Sequence, residues 1–173
     1  MRILAISGSL RAQSTNSTLL QALALASPMA EVTLYEELLL IPPFNPDVEA
    51  ATVDSGAVAR FRTLVKASDA VVFSTPEYAH GLPGSLKNAL DWIVGTGELS
   101  RKPVTLINAS SRGVHAQASL REVLRTMDAR LIAEAEVTVD RRGKAGSAEE
   151  IIGNPEFAAD LRKVIQCLSE ALD

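Results

Sequence analysis

The sequence predicts a doubly wound α/β domain: a five-stranded parallel sheet in the order 2-1-3-4-5, with helices on both faces. Two observations lead there. Five short apolar segments alternate strictly with five segments of helical period along the 173 residues, and such alternation implies parallel strands joined by crossover helices. The strand-like segments also run apolar without a polar face, as burial on both sides requires. With five strands in one domain, residues 1–173, the common doubly wound order is the one given.

The first strand is "RILAI" (2–6), followed by "EVTLYE" (31–36), "DAVVFST" (69–75), "PVTLINAS" (103–110) and "LIAEAEVTV" (131–139). Between them, residues 17–26 carry Leu19, Leu20 and Leu23 on one face, and residues 57–67 carry Val58, Phe61, Leu64 and Val65. Residues 84–94 carry Leu86, Leu90, Ile93 and Val94; residues 115–127 carry Leu120, Val123, Leu124 and Met127. The last helix carries Phe157, Leu161, Val164, Ile165 and Leu168. Each set is an i, i+3/i+4, i+7 stripe. The one irregular stretch, residues 37–56, starts apolar and holds three prolines, Pro42, Pro43 and Pro46. It reads as an ordered excursion. Its Leu38, Leu39, Leu40 and Phe44 either pack within the loop, wall the binding crevice or face a partner subunit.

Composition narrows the function. A hydrophobic share of 47% and a charged share of 22% are globular, and a net charge of −4 argues against a nucleic-acid or anionic-membrane surface. Cys167 is the one cysteine, so no internal disulfide and no CxxC pair exists. The start, "MRILAIS", is too short an apolar run for a signal peptide, and no run approaches membrane-spanning length. The expectation is a cytoplasmic protein.

In the 2-1-3-4-5 order the chain reverses between strands 1 and 3, so the loops at 7–16 and 75–83 splay apart and leave a crevice for a ligand. The first contains "GSLRAQSTN" (8–16). It is neither the G-x-x-x-x-G-K-[ST] cradle nor the G-x-G-x-x-G fingerprint, and Ser7 stands where a phospho-accepting receiver domain wants a carboxylate. Its content suits a terminal phosphate. A helix start points free N–H groups and a positive dipole end at the loop. Hydroxyls of Ser9 and Ser14 can donate, and Arg11 can offer a bidentate fork. Ser14 or Asn16 also suits an N-cap, a role that leaves Ser9 and Arg11 unexplained. In the second loop, "TPEYAHGLPGSLKNALDWI" (75–93), Pro76, Gly81, Pro83 and Gly84 set a defined backbone. Tyr78 offers an aromatic face, and Glu77 and His80 offer polar contacts: together, the wall of a pocket for a planar heterocycle. Trp92 falls on the apolar stripe and reads as core. Asn88 and Asp91 serve either the helix start or a subunit contact. His80 and His115 lie far apart in sequence with no cysteine or HxxxH partner, so no metal site is expected, and no Ser/His/Asp set is present.

The pair of motifs, G-S-L-R-x-x-S-x-N after the first strand and P-E-Y-x-x-G-x-P-G-x-L-K-N-A-x-D-W after the third, resembles the NAD(P)H-dependent FMN reductases. "PFNPD" (43–47) is also similar to that family. The family has a flavodoxin-like fold and includes quinone, azo-dye and chromate reductases. The resemblance implies that Ser9, Arg11, Ser14, Asn16 and Ser17 hold the FMN phosphate. It implies that Pro76, Glu77, Tyr78, Ala79, His80 and Gly81 line the isoalloxazine, and that "NASSRGVHA" (108–116) adds a third contact through Ser110 and Ser111. Relatives often carry two adjacent glycines in that turn, whereas this chain has Gly113 alone. Tyr78, Arg112 and Gly113 would then face the nicotinamide. The implied reaction passes hydride from NADPH or NADH through FMN to quinones, flavins, azo dyes or oxidised metals by a ping-pong mechanism. No catalytic side chain is required, because the cofactor carries the chemistry. A homodimer or homotetramer is expected, since one flavin face must be covered yet accessible. Two rivals remain: a flavodoxin-type electron carrier, which would want a more acidic docking face, and a non-catalytic flavin- or quinone-binding regulatory module, which only turnover would separate.

Overall fold

The computed structural model describes residues 1–47, 56–140 and 146–173. The elements run β1 (Arg2–Ser7), α1 (Thr15–Ala26), β2 (Glu31–Tyr35), a 3-10 turn (Leu38–Leu40), α2 (Gly56–Ala67), β3 (Ala70–Ser74) and α3 (Gly84–Val94). They continue with β4 (Pro103–Asn108), α4 (Val114–Thr126), β5 (Arg130–Leu131), a 3-10 turn (Ala133–Ala135), β6 (Val137–Thr138), α5 (Ala148–Ile152) and α6 (Pro155–Glu170). The sheet order is β2-β1-β3-β4-β5 with every pair parallel, as the alternation predicts; β6 pairs with β4.

Both faces of the sheet are covered. Ile3 and Ala5 of β1 pack with Leu19, Leu20 and Leu23 of α1 and Leu161, Val164 and Leu168 of α6. Leu4 and Ile6 face the other way, onto Val58, Phe61 and Val65 of α2 and Leu86, Leu90 and Ile93 of α3. Successive residues of one strand thus feed two cores, which is why the strands read as unbroken apolar runs.

One predicted strand does not form as a unit. Residues 131–139 split into β5 and β6 around the 3-10 turn, and each pairs separately with β4. A continuous strand would place Glu134 and Glu136 on the same face as buried Ile132, and an uncompensated carboxylate there is costly. The turn shifts the phase. Ile132, Ala135 and Val139 all enter the core, Glu134 stays exposed, and Glu136 meets Arg121 at 2.9 Å. The low strand preference of the Ala-Glu-Ala run favours the same outcome.

The excursion after β2 is anchored to α3. Asn88 accepts from the Phe44 N–H at 2.7 Å and donates to the Pro42 carbonyl at 2.9 Å, while the Trp92 indole N–H donates to Pro42 at 2.8 Å. Phe44 meets the Trp92 ring edge-on at 5.1 Å, and Trp92 is core. Asn88 therefore holds the excursion, and Asp91 pairs with Lys87 on its own helix. Leu38 is buried, whereas Leu39 and Leu40 are 73% and 60% exposed. The part of the excursion at 48–55 lies outside the described residues.

Candidate functional site

The parallel register sets Ser7 opposite Ser74 at the C-terminal ends of β1 and β3. The two chains then leave the sheet at very close quarters. The Gly8 N–H donates to the Ser74 carbonyl at 2.9 Å, and a Cβ on Gly8 would lie 2.4 Å from Thr75 Oγ1. Only glycine permits that approach.

Beyond Gly8, hydroxyls organise the loop. Ser7 Oγ accepts from the Ser9 N–H at 3.2 Å and from Ser17 Oγ at 2.9 Å, and Ser9 Oγ accepts from the Arg11 N–H at 3.3 Å. Ser14 is buried and caps α1, accepting from the Ser17 N–H at 3.3 Å. Asn16 is buried as well. Its Oδ1 accepts from Ser74 Oγ at 2.9 Å, which leaves Nδ2 as its free donor side. The Thr15 and Asn16 N–H groups open the helix and bond to no described residue, as the first turn of a helix requires. The Arg11 side chain is exposed and pairs with no described acid. The result is a cluster of unspent donors at the positive end of α1.

The loop after β3 is shaped by its backbone. Tyr78 and Gly81 exchange two hydrogen bonds, 3.2 Å and 2.9 Å, around Ala79 and His80, whose φ values are +49° and +57°. This is the left-handed two-residue turn normally made by Asn-Gly. It leaves Tyr78 52% exposed, so that ring is not a core aromatic. Glu77 turns the other way. Its Oε2 accepts from the His115 and Ala116 N–H groups at 2.8 and 3.0 Å and caps α4 from a different loop. The Ala116 N–H, then that of His115 and the neighbouring imidazoles, hold its carboxyl below the usual glutamate range.

The structure corrects one expectation here. His80 and His115, distant in sequence, stack with ring centroids 4.4 Å apart and planes at 21°. The 2-1-3-4-5 order sets the loop after β3 beside the loop after β4, and the left-handed turn carries His80 back over the first turn of α4.

The turn after β4 forms a further wall. Ser110 Oγ accepts from the Arg112 N–H at 3.2 Å; Ser111 donates to Asp140 through both N–H (3.0 Å) and Oγ (2.5 Å). Two clefts flank the start of α1. One, about 280 Å³, is lined by Asn16, Pro76, Glu77, Ser110, Arg112 and Gly113, with Thr15, Thr75, Asn108 and Ala109. The other, about 310 Å³, is lined by Ser9, Arg11 and Ser17, with Ser7, Gln21, Leu38 and Leu39 among others. Both fall near the lower end of ligand-pocket size. A wider hollow of about 680 Å³ lies around Ser68, Asp69, Gly97 and Lys102, at the N-terminal ends of β3 and β4, the opposite end of the sheet from the crevice loops. Of the anticipated residues, Tyr78, Ala79, His80 and Gly81 form the turn beside the first cleft, Ser14 is a cap, and Ser111 is spent on Asp140. Residues not anticipated are Ser74, Thr75, Asn108, His115 and Asp140. The signal for Ser74 was present: two strands predicted to be neighbours each carry a serine at the C-terminal end of the apolar run, Ser7 and Ser74.

A family model for NADPH-dependent FMN reductase matches residues 1–144. An NAD(P)H-dependent FMN reductase of Pseudomonas aeruginosa is 37% identical over 155 residues, covering 86% of this chain and 83% of the relative. A quinone reductase of Escherichia coli K12 is 33% identical over 143 residues, covering 79% and 76%. Among solved structures, the flavoenzyme NAD(P)H:(acceptor) oxidoreductase FerB from Paracoccus denitrificans superposes with a TM-score of 0.82 over 98% of each chain at 24% identity, a likeness of fold. The serine-lined loop after β1 and the turn after β3 thus belong to a flavodoxin-like chain that is a member of the NADPH-dependent FMN reductase family.

Proposed function

We propose that this chain is an FMN-dependent oxidoreductase that accepts hydride equivalents from NADPH or NADH and delivers them to quinones and kindred acceptors. The observation that carries the reading is the cluster of unspent donors at the start of α1, set beside a cleft bounded by the loops after β3 and β4. A phosphomonoester dianion has the acceptor oxygens that such a cluster lacks. In this reading Ser9, Arg11 and the Thr15 and Asn16 N–H groups hold the phosphate, and Ser17 joins them by turning its hydroxyl away from Ser7. Ser14 acts beneath them by fixing the helix start. Asn16 is locked by Ser74, so its Nδ2 is presented in one orientation.

Bound there, FMN supplies the two-electron chemistry. The rest falls to the protein. Pro76 and Glu77 wall one side of the cleft, with the turn at Tyr78–Gly81 beside it, and Ser110, Arg112 and Gly113 wall the other. Tyr78, exposed at the rim, supplies an apolar face that excludes water from the reacting edge while admitting a flat donor or acceptor in turn. Arg112 offers charge to a dinucleotide phosphate. One cleft serving donor and acceptor alternately gives ping-pong kinetics. Azo dyes and oxidised metals such as chromate are acceptors of the same open site. The quinone reductase relative and a solved azoreductase of the same fold are in keeping with this range. Exposed Leu39 and Leu40 beside the Arg11 cleft fit a homodimer or homotetramer edging the site. No helix among the described residues is long and apolar enough to cross a membrane, which suits the cytoplasmic setting proposed.

The test is anaerobic reduction of the FMN-loaded protein by NADH and by NADPH, followed by reoxidation with a quinone. Rapid reduction by at least one nucleotide, with parallel double-reciprocal plots against quinone, is expected. Reduction by neither overturns the reading. One-electron exchange alone would make the chain a carrier, and flavin binding without turnover would make it a regulatory module.

A further inference from the structure

Glu77 and His80, from the loop after β3, and His115, from the first turn of α4 and 38 residues beyond Glu77, form one cluster. One carboxylate oxygen of Glu77 and one ring nitrogen from each histidine lie within 4.8 Å of one another. Three features make this more than a chance meeting of exposed side chains. First, Glu77 is held rigidly: its Oε2 takes two backbone N–H groups of α4, and its carboxylate keeps further acceptor capacity for an ion. Second, His80 is brought there by a strained turn, with φ positive at both Ala79 and His80. Backbone strain of this kind persists where the surroundings hold it and gathers at functional sites. Third, both rings are exposed and stacked, so each can rotate to aim a nitrogen inward at little cost.

We infer that Glu77, His80 and His115 form a binding site for a borderline divalent transition-metal ion, of the zinc or nickel class, that clamps the loop after β3 to the start of α4. Two imidazoles and one carboxylate are the donor set such ions take, with remaining positions open to water. Magnesium and calcium, which prefer all-oxygen shells, are excluded by the same donors. The ion would draw the two walls of the 280 Å³ cleft together at its rim, reinforcing through the side chains a tie that Glu77 already makes through the backbone. That this cleft admits the reductase's substrates rests on the function proposed above; binding of the ion does not.

The test uses the untagged full chain, with and without FMN, titrated with zinc chloride by calorimetry. His80 and His115 are the chain's two histidines, so a histidine-dependent site is unambiguous. One saturable ion per chain is expected in both preparations. His115→Gln should weaken it by roughly 100-fold or more, beyond what loss of an outer supporting partner costs. His80→Asn, which tolerates the left-handed backbone, should do the same. Zinc should also slow amide exchange in residues 76–81 and 113–116 together. If His80→Asn perturbs the turn, His115→Gln decides alone, because its side chain is exposed on a regular helix. No saturable binding, or binding that survives both substitutions, overturns the site. Binding without exchange protection in those two segments overturns the clamp. Failure of the protein to take up FMN would bear on the proposed function and leave the zinc result readable.

Discussion

The loop after β1 and the loop after β3 leave adjacent strands and bound the same crevice, yet they keep their shapes by opposite means. Residues 8–17 are held by side chains: Ser7, Ser9, Ser14, Asn16 and Ser17 bond one another or Ser74, and no residue among them has a positive φ. Residues 75–81 are held by backbone conformation, with two consecutive left-handed residues and a carboxylate exported to cap another element. The first loop therefore presents N–H donors in fixed positions, which suits an anion. The second presents a shaped edge, which suits a flat ring.

Substitutions can break this contrast. The largest effect belongs at the point where the loops touch. Gly8→Val would drive a branched Cβ into Oγ1 and Cβ of Thr75, a short side chain that cannot swing away. It should cost about 3 kcal/mol or more, the upper range for overpacking, seen as a lower denaturation midpoint together with lost FMN binding. Next comes Arg11→Ala, which removes the loop's one cation. FMN affinity should fall by about 1.5–3 kcal/mol, the range for a charged hydrogen bond, while the melting temperature stays put. An unchanged FMN dissociation constant would remove Arg11 from the site.

In the second loop the backbone is the target. Ala79→Val places a β-branched residue at φ +49° and should destabilise by about 1–2 kcal/mol. Ala79→Asn, tolerant of that region, should change stability by only a few tenths. Equal effects would refute the left-handed turn. The smallest effect is the pH dependence of Glu77. Because the α4 N–H groups hold its carboxyl below the ordinary value of 4.5, its contribution is complete above about pH 4.5. It fades as the pH falls through the lowered native value, where the native carboxylate takes up its proton. The stability gap between wild type and Glu77→Gln should shrink over that acidic window and stay constant above it.

The same contrast explains what was legible in the sequence. Apolar runs and helical stripes specify the strand order and each main helix, because period and burial leave direct marks. The anion character of residues 8–17 was readable because its agents are residue types: hydroxyls, a guanidinium, an N-cap. The turn at Ala79-His80 was not, since neither residue advertises a positive φ as Asn-Gly would. Nor was the Glu77 cap, whose partner lies 38 residues away. The meeting of His80 with His115 follows from strand order, but only once the second loop's backbone is known to fold back. The break in residues 131–139 was missed because alternation of Ala and Glu imitates a strand. Only the parity of Glu134 and Glu136 against buried Ile132 betrays it.

The central claim is that the loop after β1 holds the phosphate of FMN. Fluorescence titration of flavin-free protein with FMN and with riboflavin, two ligands that differ by that phosphate alone, tests it most directly. FMN should bind at least about 3 kcal/mol more tightly, the sum of two charge-assisted hydrogen bonds, with the gap narrowed by Arg11→Ala. Equal affinity for the two flavins would contradict the account.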